Sequence, residues 1–506
     1  MSRDTWDYWR RIRQVMQALF FVLFVYLFFA GVQRRAALAL SDLFFRLDVL
    51  AGVSAMLSVR AWIPRLGLGL VVVALTLLVG RVWCGWVCPM GTVLEWLCFG
   101  RGKARASAPS PRWRWIKYGL LLLTLAAGVW SSLAMLVLDP LALLARVSTT
   151  AVLPVLNQVV TTLERSAYRL PLLHPVVDGV ERALRGTVLP TVQPVFFQNV
   201  AIVLLFSTIL ALNWWSDRFW CRFLCPLGAL LGLLSRVSLL RPTLGESCNR
   251  CGRCADVCRL GAIEAERGYA IAASECTLCL DCLGACPEQG AGLSWHRQPD
   301  PAREYEPTRR RVLAALVVAA AAVATLRTSV RSRSRHPLLI RPPGAQDEGA
   351  FLSRCLRCSQ CMRVCPTSGL QPALSEAGVE GLWTPRLVPR LGYCDFGCNA
   401  CGQACPSQAI PALGLERKRE AIIGLASVDR NRCLPWAYGV PCIVCEEMCP
   451  VPDKAIKLEV ITVTDAHGKE MALQRPVVRR DLCIGCGTCE HRCPVPGEAA
   501  TRVYRS

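Results

Sequence analysis

The chain has 506 residues, of which 53% are hydrophobic, and it carries a formal net charge of +21. This length allows several domains, and this hydrophobic content indicates a membrane protein. The charge does not predict a nucleic-acid partner, because the basic residues form no patch with interleaved aromatic residues and cluster beside apolar segments instead.

Four apolar segments predict membrane spans, the second only with its flanking residues. They are residues 15–32, 66–80, 118–139 and 196–213. No small-residue cleavage site follows the first segment, which predicts a retained anchor and not a removed signal peptide. Arginine and lysine are concentrated before this segment and in the 81–117 loop, so the N-terminus, this loop and the region after residue 213 are expected in the cytoplasm. We therefore expect an α-helical four-span membrane domain over residues 1–242.

A cysteine motif occurs twice beside these spans. The sequence RVWCGWVCPMG at 81–91 returns as RFWCRFLCPLG at 218–228, which indicates an internal duplication. The two halves can bring the CxxxCP cysteines together across a pseudo-two-fold axis: Cys84, Cys88, Cys221 and Cys225. Three interpretations remain open, namely a seventh iron–sulfur cluster with two ligands from each half, a redox-active dithiol/disulfide pair, and structural thiols at helix ends. Cys98 falls outside every group and is interpreted as a passive thiol.

Residues 243–300, called the insert below, carry two copies of the C-x2-C-x2-C-x3-C pattern of bacterial ferredoxins. The copies are Cys248, Cys251, Cys254 and Cys258, and then Cys276, Cys279, Cys282 and Cys286. A zinc site would normally show two cysteine pairs separated by a long loop. In the ferredoxin pattern the fourth cysteine ligates the neighbouring cluster, so we expect Cys258 to serve the second cluster and Cys286 the first. Arg259 stands where a proline usually follows the fourth cysteine.

A fifth apolar run follows the insert. The sequence TRRRVLAALVVAAAAVATL at 308–326 resembles a twin-arginine export signal placed inside the chain. Residues 301–328 are accordingly predicted as a fifth span, although the arginines after this run also fit a cytoplasmic or interfacial helix. Residues 329–346 are interpreted as a linker, and 347–506 as a soluble domain in the periplasm, whereas 243–300 is expected in the cytoplasm.

The C-terminal domain repeats the cysteine pattern four times, in two cases with a wider first gap. Its groups are Cys355, Cys358, Cys361, Cys365; Cys394, Cys398, Cys401, Cys405; Cys433, Cys442, Cys445, Cys449; and Cys483, Cys486, Cys489, Cys493. Four further 4Fe–4S clusters are predicted, six in all, held by α+β ferredoxin-like domains through iron–thiolate bonds. Spacing alone leaves open whether neighbouring groups or the first and last groups exchange their fourth cysteines.

Other redox cofactors are excluded by missing ligands. The five histidines all lie outside the apolar spans, which excludes a membrane haem with two histidine ligands, and no C-x-x-C-H occurs for an attached haem. No GxGxxG follows a strand, so no flavin or NAD site is predicted.

These motifs resemble two known families in succession. Residues 1–300, with their spans, paired CxxxCP motifs and two-cluster ferredoxin, resemble the NapH-type (MauN-like) membrane ferredoxins. Residues 308–506, with the twin-arginine-like start and four cluster motifs, resemble the NapG/MauM-type exported ferredoxins of the 4Fe–4S polyferredoxin group. The chain therefore resembles a fusion of the two.

The resemblance implies a function in the bacterial inner membrane. It implies a quinol dehydrogenase component that passes electrons through its clusters to a periplasmic cytochrome or reductase, in a nitrate reductase-type or related respiratory system. The catalytic residues stay unknown; Glu95 and the tryptophans near the membrane interface are candidates for the quinol site, although interfacial tryptophans usually act as anchors. The alternative is an accessory protein that reduces a metal centre or disulfide of a partner enzyme during its maturation, using the CxxxCP thiols.

Overall fold

The computed structural model describes most of the chain. Its residues are 3–32, 40–97, 110–185, 188–197, 199–245, 247–265, 268–288, 290–295, 308–333, 336–345, 347–374, 376–464 and 470–505. Cys98, residues 301–307 of the predicted fifth span and parts of the predicted linker lie outside this description. The chain forms two compact units: Met1–Phe28, Asp42–Val147 and Val200–Ala324 make the first, and Phe29–Ser41, Ser148–Asn199 and Thr325–Ser506 make the second.

Helices dominate the first half of the sequence. In chain order, the α-helices before residue 240 are α1 (Arg3–Val32), α2 (Leu43–Arg46), α3 (Val49–Val59), α4 (Gly69–Val79), α5 (Pro89–Trp96), α6 (Trp115–Val129), α7 (Pro140–Val147), α8 (Leu153–Ala167), α9 (His174–Leu184), α10 (Asn199–Trp215) and α11 (Pro226–Ser235). Helices α3 and α6 pack closely because Gly128 carries no side chain toward the backbone of Ser54.

Two helices among the described residues are long and apolar enough to cross a membrane, and they match the predicted spans only in part. Thr5–Val32 contains the first predicted span, whereas Pro140–Ala167, which continues through a π-helical turn at Ser148–Val152, was not predicted. The other predicted spans are shorter apolar helices, namely Pro64–Val79, Trp115–Val129 and Asn199–Trp215.

The prediction of one continuous helix over 118–139 is wrong in its second half. Helix α6 ends at Val129, Ser131 adopts a left-handed backbone with φ of 59°, and a 3-10 helix follows at Ala134–Leu138. A left-handed residue cannot continue a right-handed helix, so the apolar composition persists while the helix stops.

The remaining helices are short, except for one. They are α12 (Arg253–Val257), α13 (Asp281–Ala285), α14 (Arg309–Arg333), α15 (Glu348–Leu352), α16 (Gln360–Arg363), α17 (Ala400–Gln403), α18 (Leu415–Glu420), α19 (Leu434–Ala437), α20 (Val444–Glu447) and α21 (Thr488–Arg492). Helix α14 covers the twin-arginine-like run, and its apolar part, Val312–Ala322, is shorter than the helices that qualify as spans. The fifth span is therefore not confirmed.

The strands form two-stranded antiparallel pairs within the described residues. They are β1 (Arg241–Leu244), β2 (Ile263–Glu264), β3 (Ala270–Ile271), β4 (Ala291–Ser294), β5 (Leu370–Pro372), β6 (Pro385–Leu387), β7 (Leu425–Val428), β8 (Ile456–Thr464), β9 (Glu470–Val478) and β10 (Thr501–Tyr504). The pairs are β1 with β4, β2 with β3, β5 with β6, β7 with β10 and β8 with β9. Short helices between short hairpins give both cysteine-rich regions the α+β character expected of ferredoxin-type domains.

Two of the strand pairs enclose cysteine-rich segments. The β1–β4 pair aligns Arg241 with Ser294 and so joins the two ends of the insert. The β7–β10 pair aligns Leu425 with Tyr504 and holds the end of the chain against the third cysteine group. Buried cysteines form part of the hydrophobic core of the second unit, together with apolar residues such as Phe351. The cysteine loops of the second unit are therefore part of its core and not surface appendages.

Candidate functional site

The insert brings its eight cysteines together as two sets of four. Burial raises the pKa of the Cys254 thiol, and the adjacent thiols of Cys248, Cys286 and Cys251 raise it further. The other four thiols surround one cavity beneath β2 and β3, whose lining includes Cys258, Cys276, Cys279 and Cys282. The fourth cysteine of each copy thus lies with the first three of the other copy, as the ferredoxin pattern predicts.

The C-terminal domain exchanges its fourth cysteines between neighbouring groups. Burial raises the pKa of the Cys361 thiol, and adjacent thiols that include Cys405 raise it further. In the same way Cys365 lies beside Cys401. The Cys493 thiol lies beside Cys445. The spacing left open whether neighbouring groups or the first and last groups exchange their fourth cysteines. In the structure the first group exchanges its fourth cysteine with the second group.

The third and fourth groups complete each other likewise. A cavity in the second unit is lined by Cys433, Cys442, Cys445 and Cys493. Burial raises the pKa of the Cys486 thiol, with further contributions from Cys449 and Cys483. The four sets in this domain are Cys355, Cys358, Cys361, Cys405; Cys365, Cys394, Cys398, Cys401; Cys433, Cys442, Cys445, Cys493; and Cys449, Cys483, Cys486, Cys489.

The same backbone turn recurs in every group that has the strict C-x2-C-x2-C spacing. The residue before the second cysteine and the residue after it have positive φ in each case. These residues are Arg250 and Gly252, Leu278 and Leu280, Arg357 and Ser359, and Gly485 and Gly487. Left-handed residues between right-handed ones turn successive N–H groups into one concavity, a geometry that binds anions and iron–sulfur sites. Non-glycine residues accept this conformation only at an energetic cost, so a repeated use of it points to a function.

The donor sets fit a 4Fe–4S cube. Within the described part of the chain, no three histidine, cysteine, aspartate or glutamate side chains lie close enough to hold a single metal ion. In a cube each thiolate binds a different iron, so the four sulfurs stand further apart than the ligands of one ion. Backbone N–H groups also donate to the sulfurs, as from Ala262 to Cys258 at 3.2 Å and from Ala455 to Cys449 at 3.3 Å. Such hydrogen bonds stabilise thiolates.

The four CxxxCP cysteines also lie together, in the first unit. Cys84 and Cys221 stand on π-helical turns at Trp83–Val87 and Trp220–Leu224. Cys88 and Cys225 precede the prolines that begin α5 and α11. Burial raises the pKa of the Cys225 thiol, and the thiols of the other three cysteines raise it further. The juxtaposition across the duplication, predicted from the repeated motif, is present in the structure.

Two buried carboxylates join the helical part of the first unit to the insert. Lys117 Nζ donates to Glu275 Oε2 at 2.5 Å, the Tyr118 hydroxyl donates to Glu275 Oε1 at 3.2 Å, and Arg81 Nη1 lies 3.6 Å from Glu275 Oε2. Burial opposes ionisation of Glu275, but Lys117, Arg114 and Arg81 outweigh it and lower the pKa of this carboxyl to about 2. Glu275 directly precedes Cys276, so this ion pair fixes the second cysteine loop of the insert.

Glu95 forms the second junction. It accepts hydrogen bonds from Arg13 at 2.9 Å and from Arg218 at 2.7 Å, and Arg259 Nη1 lies 3.2 Å from its Oε1. Burial opposes ionisation of Glu95, but Arg218 and Arg13 outweigh it and lower its pKa to about 2. The arginine that replaces the usual proline after Cys258 therefore has a docking contact, since it reaches Glu95 and, at 3.5 Å, Asp281.

The residues suggested for a quinol site divide into two kinds. Glu95 is held ionised by arginines, which makes its carboxylate a poor proton acceptor. Trp83 is buried, and the Trp86 indole donates to the Leu278 carbonyl at 3.0 Å. Trp214 is 69% exposed and Trp215 is 42% exposed. Exposed tryptophans at a helix end are suited to anchor that end at a membrane interface.

The sequence reasoning missed the cations of these two junctions. They are Arg13, Arg81, Lys117 and Arg218, each nearly or completely buried. A signal was available, because Arg81 and Lys117 directly flank predicted spans, and Arg81 and Arg218 occupy equivalent positions in the duplication. A basic residue beside an apolar segment is normally interpreted as a signal for the orientation of a membrane span. The sequence alone does not indicate that it also forms a buried ion pair.

Comparison with known proteins agrees with this donor chemistry. A family model described as a 4Fe-4S binding domain matches residues 61–107 and 198–245, the stretches that carry the CxxxCP motifs. The chain is 39% identical over 211 residues to the methylamine utilization ferredoxin-type protein MauM of Methylorubrum extorquens, a match that covers 40% of this chain and 91% of that protein. No solved structure matches the chain.

Two further relatives cover different shares of the chain. The ferredoxin-type protein NapG of Escherichia coli is 38% identical over 155 residues, which is 29% of this chain and 63% of NapG. The match therefore spans less than two thirds of NapG. An uncharacterized protein of Methanocaldococcus jannaschii is 26% identical over 298 residues, which is 56% of this chain and 95% of that protein.

Proposed function

Because the chain belongs to the NapG/MauM-like family of ferredoxin-type 4Fe–4S proteins, we propose that it is a membrane-anchored relay that passes electrons from quinol to a periplasmic acceptor. The observation that carries this proposal is the grouping of 24 cysteines into six sets of four, each completed by a cysteine of the neighbouring motif. A relay needs closely spaced one-electron sites, and such paired sets supply them.

The six sets are the proposed ligands of six clusters. When bound, each 4Fe–4S cube changes its charge by one electron, and the protein sets its potential through burial, hydrogen bonds and nearby charge. The chain supplies these influences locally. Arg357 is fully buried beside Cys355 and donates to its carbonyl at 3.1 Å. Burial raises the pKa of the Cys394 thiol to about 12, although the nearby positive charge of Lys418 acts to lower it.

Contacts within the second unit support a continuous path through its four sets. The backbone N–H of Cys394 donates to the carbonyl of Cys486 at 2.8 Å, which joins the first pair of sets to the second pair. Arg390 reinforces this junction, because its guanidinium donates to the carbonyls of Glu490, Cys493 and Val495. Electron transfer between sets needs short, fixed distances, and this backbone contact is suited to keep them.

The proposed four-span arrangement uses α1 and the three shorter apolar helices Pro64–Val79, Trp115–Val129 and Asn199–Trp215. Two sets of contacts support the orientation that the basic residues predict. Trp6, at the cytoplasmic start of α1, packs against Leu280 and Leu283 of the insert. In the second unit, Gln371 of the four-cluster domain donates to the Val195 carbonyl at 2.8 Å, and residue 195 belongs to a connection predicted outside the cytoplasm.

This orientation imposes a constraint on the electron path. Clusters on opposite membrane faces would be separated by a hydrocarbon layer of about 30 Å. We therefore propose that quinol delivers electrons directly to the side on which they leave, and that the terminal acceptor is a periplasmic cytochrome or reductase. A twin-arginine route would carry the 347–506 domain across the membrane after its clusters are assembled.

The experiment that tests the relay uses the full chain, purified without oxygen in detergent. A soluble quinol is added, and cluster reduction is followed by electron paramagnetic resonance. The Cys355→Ser variant should lose about four irons per chain and slow reduction of an added acceptor, whereas Cys98→Ser, outside every set, should behave as the parent. A parent protein that contains iron but is not reduced by quinol would contradict the relay.

A reporter fused near residue 350 tests the sidedness separately. Periplasmic activity of that reporter is the expected result, and a cytoplasmic signal would overturn the exported position of the four-cluster domain without affecting the cluster assignment.

The grouping of the four CxxxCP thiols favours one alternative, the maturation function. In that case the thiols would reduce a disulfide or metal centre of a partner enzyme directly. Replacing Cys84 and Cys221 by serine separates the two: the relay predicts slower electron transfer with an intact partner, and the maturation function predicts an immature partner.

A further inference from the structure

Two buried aspartates lie together in the helical part of the first unit, and neither belongs to the junctions described above. Asp48 precedes α3 and caps it, because its Oδ1 accepts from the Ala51 N–H at 3.1 Å. Asp139 precedes α7 and caps it in the same way, since its Oδ2 accepts from the Ala142 N–H at 2.8 Å. Both aspartates are at most 1% exposed. Each helix cap therefore uses one oxygen of a carboxyl group that is removed from water.

The two carboxyl groups form a pair. Asp48 Oδ2 and Asp139 Oδ1 are buried, and no N–H or O–H group of the described residues donates to them. The carboxyl groups are hydrogen-bonded to each other instead. An ionised carboxylate only accepts hydrogen bonds, so a hydrogen bond between two carboxyl groups requires a proton on one of them. The geometry therefore indicates a carboxylic acid beside a carboxylate, with one proton between them.

The charged groups around the pair do not remove the need for this proton. Burial raises the pKa of the Asp139 carboxyl and outweighs the positive charge of Arg146, which acts to lower it. From the neighbouring segments, Arg46 pairs with Asp42 at 2.7 Å, and Arg65 acts on that same carboxyl. Two like charges in contact away from water cannot both persist. Glu95 and Glu275 differ from the pair, because several cations keep each of them ionised.

The pair belongs to the non-cytoplasmic end of the proposed four-span arrangement. Asp48 follows the first predicted span, and Asp139 lies beyond Val129, where α6 ends. The basic residues predict that both positions are on the side opposite to the N-terminus. The direct hydrogen bond between the two carboxyl groups fits this prediction, since it requires both positions at the same end of the helices. This is the side to which the proposed relay delivers its electrons.

Oxidation of quinol on this side requires a proton acceptor. One proton leaves quinol for each electron, and a side chain that receives it acts as a general base. Glu95 is unsuited to this task, because arginines hold its carboxylate ionised. A coupled carboxyl pair binds its two protons in separate steps, the first tightly and the second more weakly. The half-protonated pair of Asp48 and Asp139 can therefore accept a further proton and release it again.

We propose that Asp48 and Asp139 share one proton and that this pair accepts the protons of quinol on the non-cytoplasmic side. The second part rests on the proposed relay. In each step an O–H bond of quinol breaks, its proton binds the carboxylate of the pair, and one electron enters the relay. The pair then releases a proton to water. Quinol is thereby oxidised, the relay is reduced, and the pair returns to its half-protonated state.

Infrared spectroscopy of the full chain, purified without oxygen in detergent, tests the shared proton. At neutral pH the parent should show a C=O stretching band of a protonated carboxyl group that is lost in Asp48→Asn and in Asp139→Asn. Asparagine preserves the shape of the side chain, and its N–H group can donate to the remaining carboxylate. The control is Glu181→Gln, which alters an exposed carboxylate and should leave the band in place. A parent and an Asp48→Asn variant with the same carboxyl bands would overturn the shared proton.

A comparison of two reductants tests the proton-accepting function. Dithionite supplies electrons that need no proton acceptor, whereas quinol releases protons together with its electrons. Replacing both aspartates by asparagine should slow cluster reduction by quinol at least about tenfold, with iron content and reduction by dithionite unchanged.

The outcomes separate this inference from the relay itself. An unchanged quinol rate in the double variant would overturn the proton-accepting function and leave the relay intact. A parent that dithionite reduces and quinol does not would end the relay and this function with it, whereas the infrared bands would still decide whether the proton is shared.

Discussion

The ion pair between Lys117 and Glu275 provides a direct test of how the insert is held. In Lys117→Met the Glu275 carboxylate stays buried, at 3% exposure, but loses the donor at 2.5 Å. A buried charge without a partner is energetically unfavourable. The cysteine loop that follows Glu275 should therefore detach more often from the helical part of the first unit. The second insert site should therefore become less stable, while the sets of the second unit are unaffected.

The size of the effect follows from the remaining partners. Removal of one member of a buried ion pair costs about 3–5 kcal/mol. Arg81 still lies 3.6 Å from the carboxylate, so we expect the lower end of this range. About 3 kcal/mol corresponds to a roughly hundredfold larger population of the detached loop.

Hydrogen–deuterium exchange measures this population directly. Amides such as that of Cys276, which donates to the Ala272 carbonyl at 3.1 Å, should exchange roughly a hundredfold faster in Lys117→Met. Glu275→Gln combined with Lys117→Met should recover part of the loss, since both charges are then gone. The control is Arg479→Met, which breaks an exposed pair and should cost less than about 1 kcal/mol.

Two outcomes would refute the reasoning. If exchange in the insert is unchanged in Lys117→Met, the pair does not hold the loop. If the double variant exchanges as fast as the single one, an unpaired carboxylate is not the cause.

Three other predictions concern single positions. The pKa of Glu95 is lowered to about 2. Its ion pairs should therefore stabilise the protein fully above about pH 4.5, and this stabilisation should be lost as the pH falls toward 2. Glu95→Gln should flatten that part of a plot of unfolding temperature against pH. Gly485→Ala should be destabilised by at least about 1–2 kcal/mol and lose about four irons, because position 485 has φ of 71° and lies against the Gly424 backbone. The control Gly179→Ala, in an open helical position, should be tolerated. Equal iron content in the two variants would contradict this prediction. Arg259→Ala should accelerate hydrogen–deuterium exchange in the insert without loss of iron from the second insert site, to which Cys258 belongs. An iron loss there would show that Arg259 shapes the cysteine turn instead.

The cysteine chemistry could be predicted because it is local. Three ligands of each cluster lie within about a dozen residues, so the spacing alone indicates the cofactor. The CxxxCP duplication was visible for the same reason, since 81–91 and 218–228 can be compared letter by letter. Even the exchange between Cys258 and Cys286 followed from the pattern. The pairing of the C-terminal groups did not, because it depends on which loops pack together.

Helix lengths were less predictable than their apolar composition. Residues 118–139 are apolar throughout, yet α6 stops at Val129 because Ser131 turns left-handed. Conversely, Pro140–Ala167 carries polar residues that obscured a long helix. Composition averages over a segment, whereas one backbone torsion decides where a helix ends.

The sequence by itself determined which atoms can bind iron, how many such groups exist and that the helical part is duplicated. Only the tertiary structure decided that Lys117 meets Glu275, that Arg218 and Arg259 meet at Glu95, and that Gly85 lies against Thr277. Ligand spacing is a property of a short stretch of chain, so it can be recognised in the amino-acid sequence. A buried ion pair joins residues more than a hundred positions apart, and it exists only because packing removes both charges from water and leaves each as the other's partner.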